Sequence, residues 1–264
     1  MSNGTTVIDW NSWLQTPAGQ YVLEWEQTHL DAVVVNIFGF HAIQLGLPEL
    51  QGLRANRMPH RWQAADCPHE HVTIQCHFDA LPFESQSLDL VVLPHTLESV
   101  SDPRDALREV DRVLMPEGRL VITGFNPASF WGVRHQSGRL RQRLAPRSVP
   151  NFLPAHSDLI AQRRLRDWFH LLNFEVEGGQ FGCYRPPFNR QQWLQHFEWM
   201  EAAGDRWWPM FGSVYLLVAV KRVLGLRLVG LAKHANAKHQ GAPATAIMSP
   251  SQPTYSSAPT FHDE

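Results

Sequence analysis

Residues 79–127 read DALPFESQSLDLVVLPHTLESVSDPRDALREVDRVLMPEGRLVITGFNP, and this stretch decides the fold. Within it, Leu88 to Leu93 is an apolar run, short and β-branched enough for a strand buried on both faces. Pro94 and His95 end it. Asp102 and Pro103 then make a helix start, a capping carboxylate followed by a first-turn proline, and Ala106, Leu107, Val110, Val113 and Leu114 recur at helical spacing. Pro116 and Gly118 are expected to stop that helix, Arg119 to Thr123 reads as a second buried strand, and Gly124 to Pro127 breaks the chain again. Strand, helix, strand in this order is the crossover unit of a parallel sheet, whose ligand sites lie beyond the carboxyl ends of the strands. The fold class that follows is α/β, a doubly wound sheet.

Toward the N-terminus, residues 1–15 carry Trp10 and Trp13 and read as an arm laid over the domain. Thr16 and Pro17 are cap and first residue of a helix that buries Tyr21, Val22, Trp25, His29 and Leu30, with Ala32 to Phe38 as its continuation. Gly39 should end it before a first strand over Phe40 to Leu45, closed by Gly46. Glu49 to Asn56 reads as a short helix, and a strand over His60 to Ala65 follows Pro59. CPHEH (67–71) is too short for a crossover helix, so Val72 to His77 becomes the third strand directly, leading to Asp79. Cys67, His69, His71, Cys76 and His77 crowd this region without a zinc-ligand spacing, and no metal site is expected.

Toward the C-terminus, Ala128 to Leu153 holds Phe130, Trp131, Pro146 and Pro150 with Arg134, Arg139, Arg141 and Arg143. It reads either as a solvated basic loop or as a segment closing over substrate. Ser157 or Asp158 caps a helix to about Leu172, Asn173 closes it, and Phe174 to Phe181 is the next strand. Cys183 to Met210 is rich in Pro, Trp and Phe, includes a helix near Arg190 to Ala203, and has the composition of a pocket cover. Ser213 to Val220 is the last strand. The domain therefore spans 16–223, and residues 224–264, basic and then dominated by Pro, Ala, Ser and Thr, are expected to be a disordered tail.

Taken together, these residues resemble the class I S-adenosylmethionine-dependent methyltransferases, in particular the small-molecule branch called methyltransferase type 11. The resemblance rests on Asp79, Leu81 to Phe83, Asp89 to Val91, His95, Asp102 with Pro103, Arg112 to Leu114, Pro116, Gly118 and Leu120 to Ile122. Glu117 replaces the first glycine of the usual pair. The resemblance implies a Rossmann-like sheet of about seven strands, mostly parallel, with an antiparallel last strand inserted as a hairpin. It also implies S-adenosyl-L-methionine as cofactor, with its adenine near Asp79, Ala80 and Leu81 and its methionine moiety passing Leu93, Pro94 and His95.

The glycine-rich loop is where this sequence departs from the family. A Gly-x-Gly-x-Gly turn lets bare backbone approach the cofactor. Here the chain reads AIQLGLPELQGL (42–53), with Gly46 alone at the turn and Gln44 about where an acidic residue is usual. Two readings stay open: a relaxed loop that holds cofactor through Gln44 and Gly46, or a site that has lost it. Asp66 stands about twenty residues beyond Gly46, the distance at which a carboxylate holds ribose hydroxyls; a solvated loop carboxylate is the other reading.

The methyl on the cofactor's sulfonium is already activated, so aligning an acceptor with it is the main requirement. His95 is the first candidate to deprotonate or orient that acceptor, Glu98 is the second, and Asn126 is an orienting group. Otherwise His95 lines the cofactor site or caps the following helix. The expected activity is methyl transfer to a small molecule. The rivals are an inactive binding or regulatory protein on the same fold, and RNA methylation resting on the arginines after Trp131 and the basic tail.

Composition narrows the field. A formal net charge of -2 over 264 residues gives no broad electrostatic case for nucleic acid. The longest apolar runs, Ala32 to Phe40 and Val214 to Val220, fall well short of the roughly twenty residues that span a membrane. The first residues, MSNGTTVIDW, lack the basic and apolar regions of a secretory signal, and three cysteines without framework spacing suit a reducing cytoplasm.

Overall fold

The structure, a computed structural model, describes residues 10–144, 152–154, 159–188 and 190–222. In chain order these form α1 (Trp10–Leu14), α2 (Pro17–Val34), β1 (His41–Leu45), β2 (His60–Ala65), β3 (Ile74–Gln75), β4 (Leu88–Pro94), α3 (Thr96–Ser99) and α4 (Pro103–Val113). There follow β5 (Leu114–Phe125), α5 (Phe130–Leu144), α6 (Gln162–Leu171), β6 (Phe174–Gly182), α7 (Gln191–His196), α8 (Trp199–Trp207), a 3-10 turn (Pro209–Phe211) and β7 (Val214–Lys221). The sheet order is β3-β2-β1-β4-β5-β7-β6. β7 runs antiparallel to both its neighbours and the other contacts are parallel, as the resemblance implies.

The opening stretch folds as its pattern dictates. Alternate side chains of β4 enter opposite cores: Val91 and Leu93 pack beneath α4 and α6, while Leu90 and Val92 face the layer of α2 and α5. The Asp102 side chain accepts the Arg104 N–H at 2.8 Å, and Pro103 occupies the first turn. Burial of Leu107, Val110 and Val113 contributes roughly 1.5–3 kcal/mol each. The helix ends sooner than Pro116 requires, because Leu114 already pairs with Leu88; the ladder then slips before Arg119 meets Leu90. Glu117 lies in that slip at φ +62, the left-handed conformation for which glycine is the usual residue.

Thr16 caps α2 by accepting the Gly19 N–H at 3.1 Å, as expected. Other expectations need correction. Residues 49–56 form successive turns rather than a helix, since the Gln44 side chain claims their backbone groups. The third strand contracts to β3, two residues long. The basic segment after β5 is the 15-residue helix α5, not a loop, and Ser129 starts it by accepting the Gly132 N–H at 3.1 Å. The helix expected near Arg190 is two helices, α7 and α8. Asn173, at φ +58, closes α6 in the left-handed conformation. Residues 1–9 of the arm, Pro146, Pro150, Ser157, Asp158 and the tail over 224–264 lie outside the described residues.

Candidate functional site

The carboxyl ends of β1 to β4 surround a cavity of about 570 Å³. Gly46, Leu47, Pro48 and Glu49 form one wall, Asp66 and Cys67 a second, His77 to Asp79 a third, and Pro94 with Thr96 the floor toward α3. Asp102, Asp105 and Ala106 add the start of α4, and Trp10 and Asn11 reach over from α1. Glu49, Asp66, Asp79, Asp102 and Asp105 all face this space, and no Lys or Arg lines it among the described residues. The cavity therefore suits a cationic ligand. One Glu49 carboxylate oxygen is buried without a hydrogen-bond partner, so the wall holds an unspent acceptor beside the glycine turn.

The turn keeps its shape without the missing glycines. Gly46 takes φ +81 and Leu47 φ +40, two successive left-handed residues. Thr96 ties the turn down by donating its hydroxyl to the Leu45 carbonyl, and a Cβ at Gly46 would lie 3.0 Å from that hydroxyl. Gln44 is 1% exposed and does not reach the cavity. Its amide N–H donates to the carbonyls of Gly46 (3.2 Å), Leu47 (3.0 Å) and Leu50 (2.7 Å), while its oxygen accepts the Gly52 N–H (2.8 Å). The expectation that Gln44 touches cofactor gives way to a supporting role: its side chain organises the loop from below.

Of the other expected cofactor residues, Gly46, Asp66, Asp79 and Pro94 line the cavity and Ala80, Leu81, Leu93 and His95 do not. Leu81 and Leu93 are buried in the core shared with α4. Ala80 is exposed beyond the wall.

His95, Glu98 and Asn126 are a second correction. His95 is 1% exposed, its Nδ1 2.9 Å from Glu98 Oε2 and its Nε2 2.8 Å from Glu26 Oε1, with the Trp10 and Phe125 rings 4.9 and 4.2 Å away. Burial alone would lower the imidazole pKa, but the two carboxylates outweigh it and raise it to about 10. The ring is an imidazolium near neutrality, unable to accept a proton. Glu98 is pushed up by burial despite His95 beside it, and its other oxygen accepts the Phe125 N–H at 2.7 Å. Gly124 is needed here, because a Cβ would stand 2.6 Å from the Tyr215 hydroxyl and 3.2 Å from Glu98 Oε1. Asn126 donates to the carbonyls of Met210 (2.8 Å) and Gly212 (2.9 Å) and accepts the Ala128 N–H (3.1 Å). All three side chains hold elements together.

The model of the methyltransferase domain family matches residues 53–122, which include β2 to α4 and most of β5. The Escherichia coli (strain K12) protein YafS is 31% identical over 226 residues, spanning 84% of this chain and 85% of that protein. The chain belongs to the YafS family of class I S-adenosylmethionine-dependent methyltransferases. A ubiquinone/menaquinone biosynthesis C-methyltransferase, UbiE of Hahella chejuensis, is 43% identical over 53 residues, 20% of this chain and 21% of its own. Among solved structures, the methyltransferase complexed with the Haloferax volcanii Trm112 activator superposes with a TM-score of 0.56 at 16% identity, covering 82% of this chain and 97% of that one. A Thermotoga maritima methyltransferase gives 0.53 at 14% identity over 81% and 95%. At these identities the structures share the fold.

Sequence reasoning missed Glu49, Thr96 and Asp105 at this methyltransferase's cavity. Glu49 and Asp105 fall in stretches read for helical periodicity, and Thr96 acts through a contact with β1 that no local pattern signals. Trp10 was expected over the domain, and the structure specifies its seat, against His95 and Phe125. Among the described residues no metal-binding cluster is present and no helix is long and apolar enough to cross a membrane.

Proposed function

We propose that the cavity binds S-adenosylmethionine and that the chain transfers its methyl group to a small-molecule acceptor. The single observation that carries this is a cavity at the carboxyl ends of β1 to β4, walled by carboxylates with no countering Lys or Arg among the described residues. A cofactor with a sulfonium and an ammonium group fits such a wall, and the unpartnered Glu49 oxygen stands ready for the ammonium where the family's acidic residue is absent. Asp66 is assigned to the ribose hydroxyls and Asp79 to the adenine, with Gly46 and Leu47 presenting backbone at close approach. The bound cofactor supplies an electrophilic methyl.

The chain's own contribution is alignment and exclusion of water. Trp10 covers the cavity beside Pro94, and the His95 cluster fixes that cover from beneath. With His95 held protonated and Glu98 spent on its partners, neither serves as a base for the acceptor; His69 and His77 are the imidazoles that line the cavity. Isothermal titration with S-adenosylmethionine and S-adenosylhomocysteine tests the reading: both should bind, and folded protein that binds neither would sink it.

A further inference from the structure

Large apolar side chains stand in solvent at one end of the molecule. Phe130, Trp199, Trp207, Trp208, Met210 and Phe211 are 52–71% exposed. Trp199 and Trp207 lie about two turns apart on α8 and so leave it from a similar side, and the remaining three continue into the 3-10 turn. Asn126 binds the Met210 and Gly212 carbonyls, which holds that turn beside the start of α5, where Phe130 sits. Exposed apolar side chains gathered in this way mark an interaction surface.

Topology fixes where the surface faces. β5 and β6 run parallel to β4, and β7 runs against them. The segment leaving β5 and the segment joining β6 to β7 therefore both start at the carboxyl edge, the edge at which the cavity opens.

Charge indicates the occupant. Phe130–Leu144 contains no carboxylate in a chain whose formal net charge is -2; of its arginines, Arg134 donates to the Pro187 carbonyl and lies over the Phe152 ring, while Arg141 is exposed. Arg206 precedes the Trp207 and Trp208 pair. Glu198 and Asp205 are the exposed carboxylates of α8 and its approach, while Glu201 turns toward Arg185 at 3.8 Å. Tryptophan, with an apolar body and one N–H, is suited to the headgroup layer of a bilayer, and arginine stems lie along apolar surface while the guanidinium meets phosphate.

We infer that this end of the molecule docks on an anionic lipid bilayer, with the tryptophans seated among headgroups and the exposed Arg141 and Arg206 against lipid phosphates. Docking is independent of methyl transfer. Taken with the function proposed above, on which this consequence rests, it makes lipid-soluble molecules the acceptor class reaching the cavity.

Sedimentation of the full chain with vesicles of phosphatidylcholine, with and without phosphatidylglycerol, tests the docking. Binding should be at least about tenfold tighter with phosphatidylglycerol and weaken with added salt. Trp207→Ser with Trp208→Ser should lower it about tenfold while the thermal midpoint and S-adenosylmethionine affinity stay unchanged. Calorimetry with the cofactor is read separately, so failure of docking and failure of the methyltransferase reading are distinguishable. The inference is overturned by a chain that stays in the supernatant with both lipids, or by a tryptophan variant that pellets like the parent. It is equally overturned if light scattering finds a dimer that the tryptophan variant splits, with no lipid binding.

Discussion

At the ends of β1 to β3, Glu49, Asp66 and Asp79 face a cavity of about 570 Å³, whereas at the end of β4 Glu26 and Glu98 are 1% exposed and close on His95. The chemical groups are alike and their surroundings are opposite. In the first region the carboxylates face open space, and one Glu49 oxygen has no hydrogen-bond partner. In the second they are consumed by a buried imidazolium that joins α2, β4 and α3. Proximity of a histidine and a carboxylate to a strand end is therefore no measure of catalytic availability; burial and prior partners decide it.

The comparison breaks most sharply at His95. His95→Ala leaves Glu26 and Glu98 buried without their common cation, and urea unfolding should show a loss of about 3–5 kcal/mol. A loss below about 1 kcal/mol would mean the cluster is not structural. The same cluster gives a pH signature. Because the His95 pKa is raised from 6.5 to about 10, its stabilisation is complete below 6.5 and disappears as pH climbs to about 10. Glu98, pushed up by burial from 4.5, adds a loss of the same sign that begins at that lower pH, below the histidine's window. The thermal midpoint should fall across that window, and Glu26→Gln should flatten the fall.

Gln44 gives the next largest effect. Gln44→Glu supplies the acidic residue usual in the family, yet it would aim a carboxylate at three backbone carbonyls. We expect a cost of about 1–3 kcal/mol in chemical unfolding and weaker, not stronger, cofactor binding. In the open region, Asp79→Ala and Glu49→Gln should each weaken S-adenosylmethionine binding about tenfold, or about 1.4 kcal/mol, with little change in stability. Calorimetric affinities equal to the parent's would remove those residues from the site. Smallest of all is a control outside both regions: Glu117→Gly relieves a left-handed residue and should raise stability by about 1 kcal/mol, read from the denaturant midpoint.

The elements of the opening stretch were legible because their signals are local: period-two burial in β4, a capping aspartate with its proline, and period-3.6 burial in α4. Asp66 and Asp79 were legible as cavity residues through spacing and resemblance. The turns after Gly46 were not, because a side chain buried beneath them, rather than periodicity, sets their path. Nor were the roles of His95 and Glu98, whose deciding partner Glu26 lies on a distant helix. Helix α5 was obscured by its arginines and by Gly132 and Gly138, although Ser129 offered a cap.

β7 sits between β5 and β6, although it is the last of the described strands in the chain. A ribosome therefore delivers β6 before the strand that joins it to the rest of the sheet. Until residue 221 emerges, the backbone N–H and C=O groups that β5 presents to β7 from Arg119 to Phe125 lack a strand partner and are open to wrong pairing. That edge of β5 thus closes only when β7 slots in between it and β6.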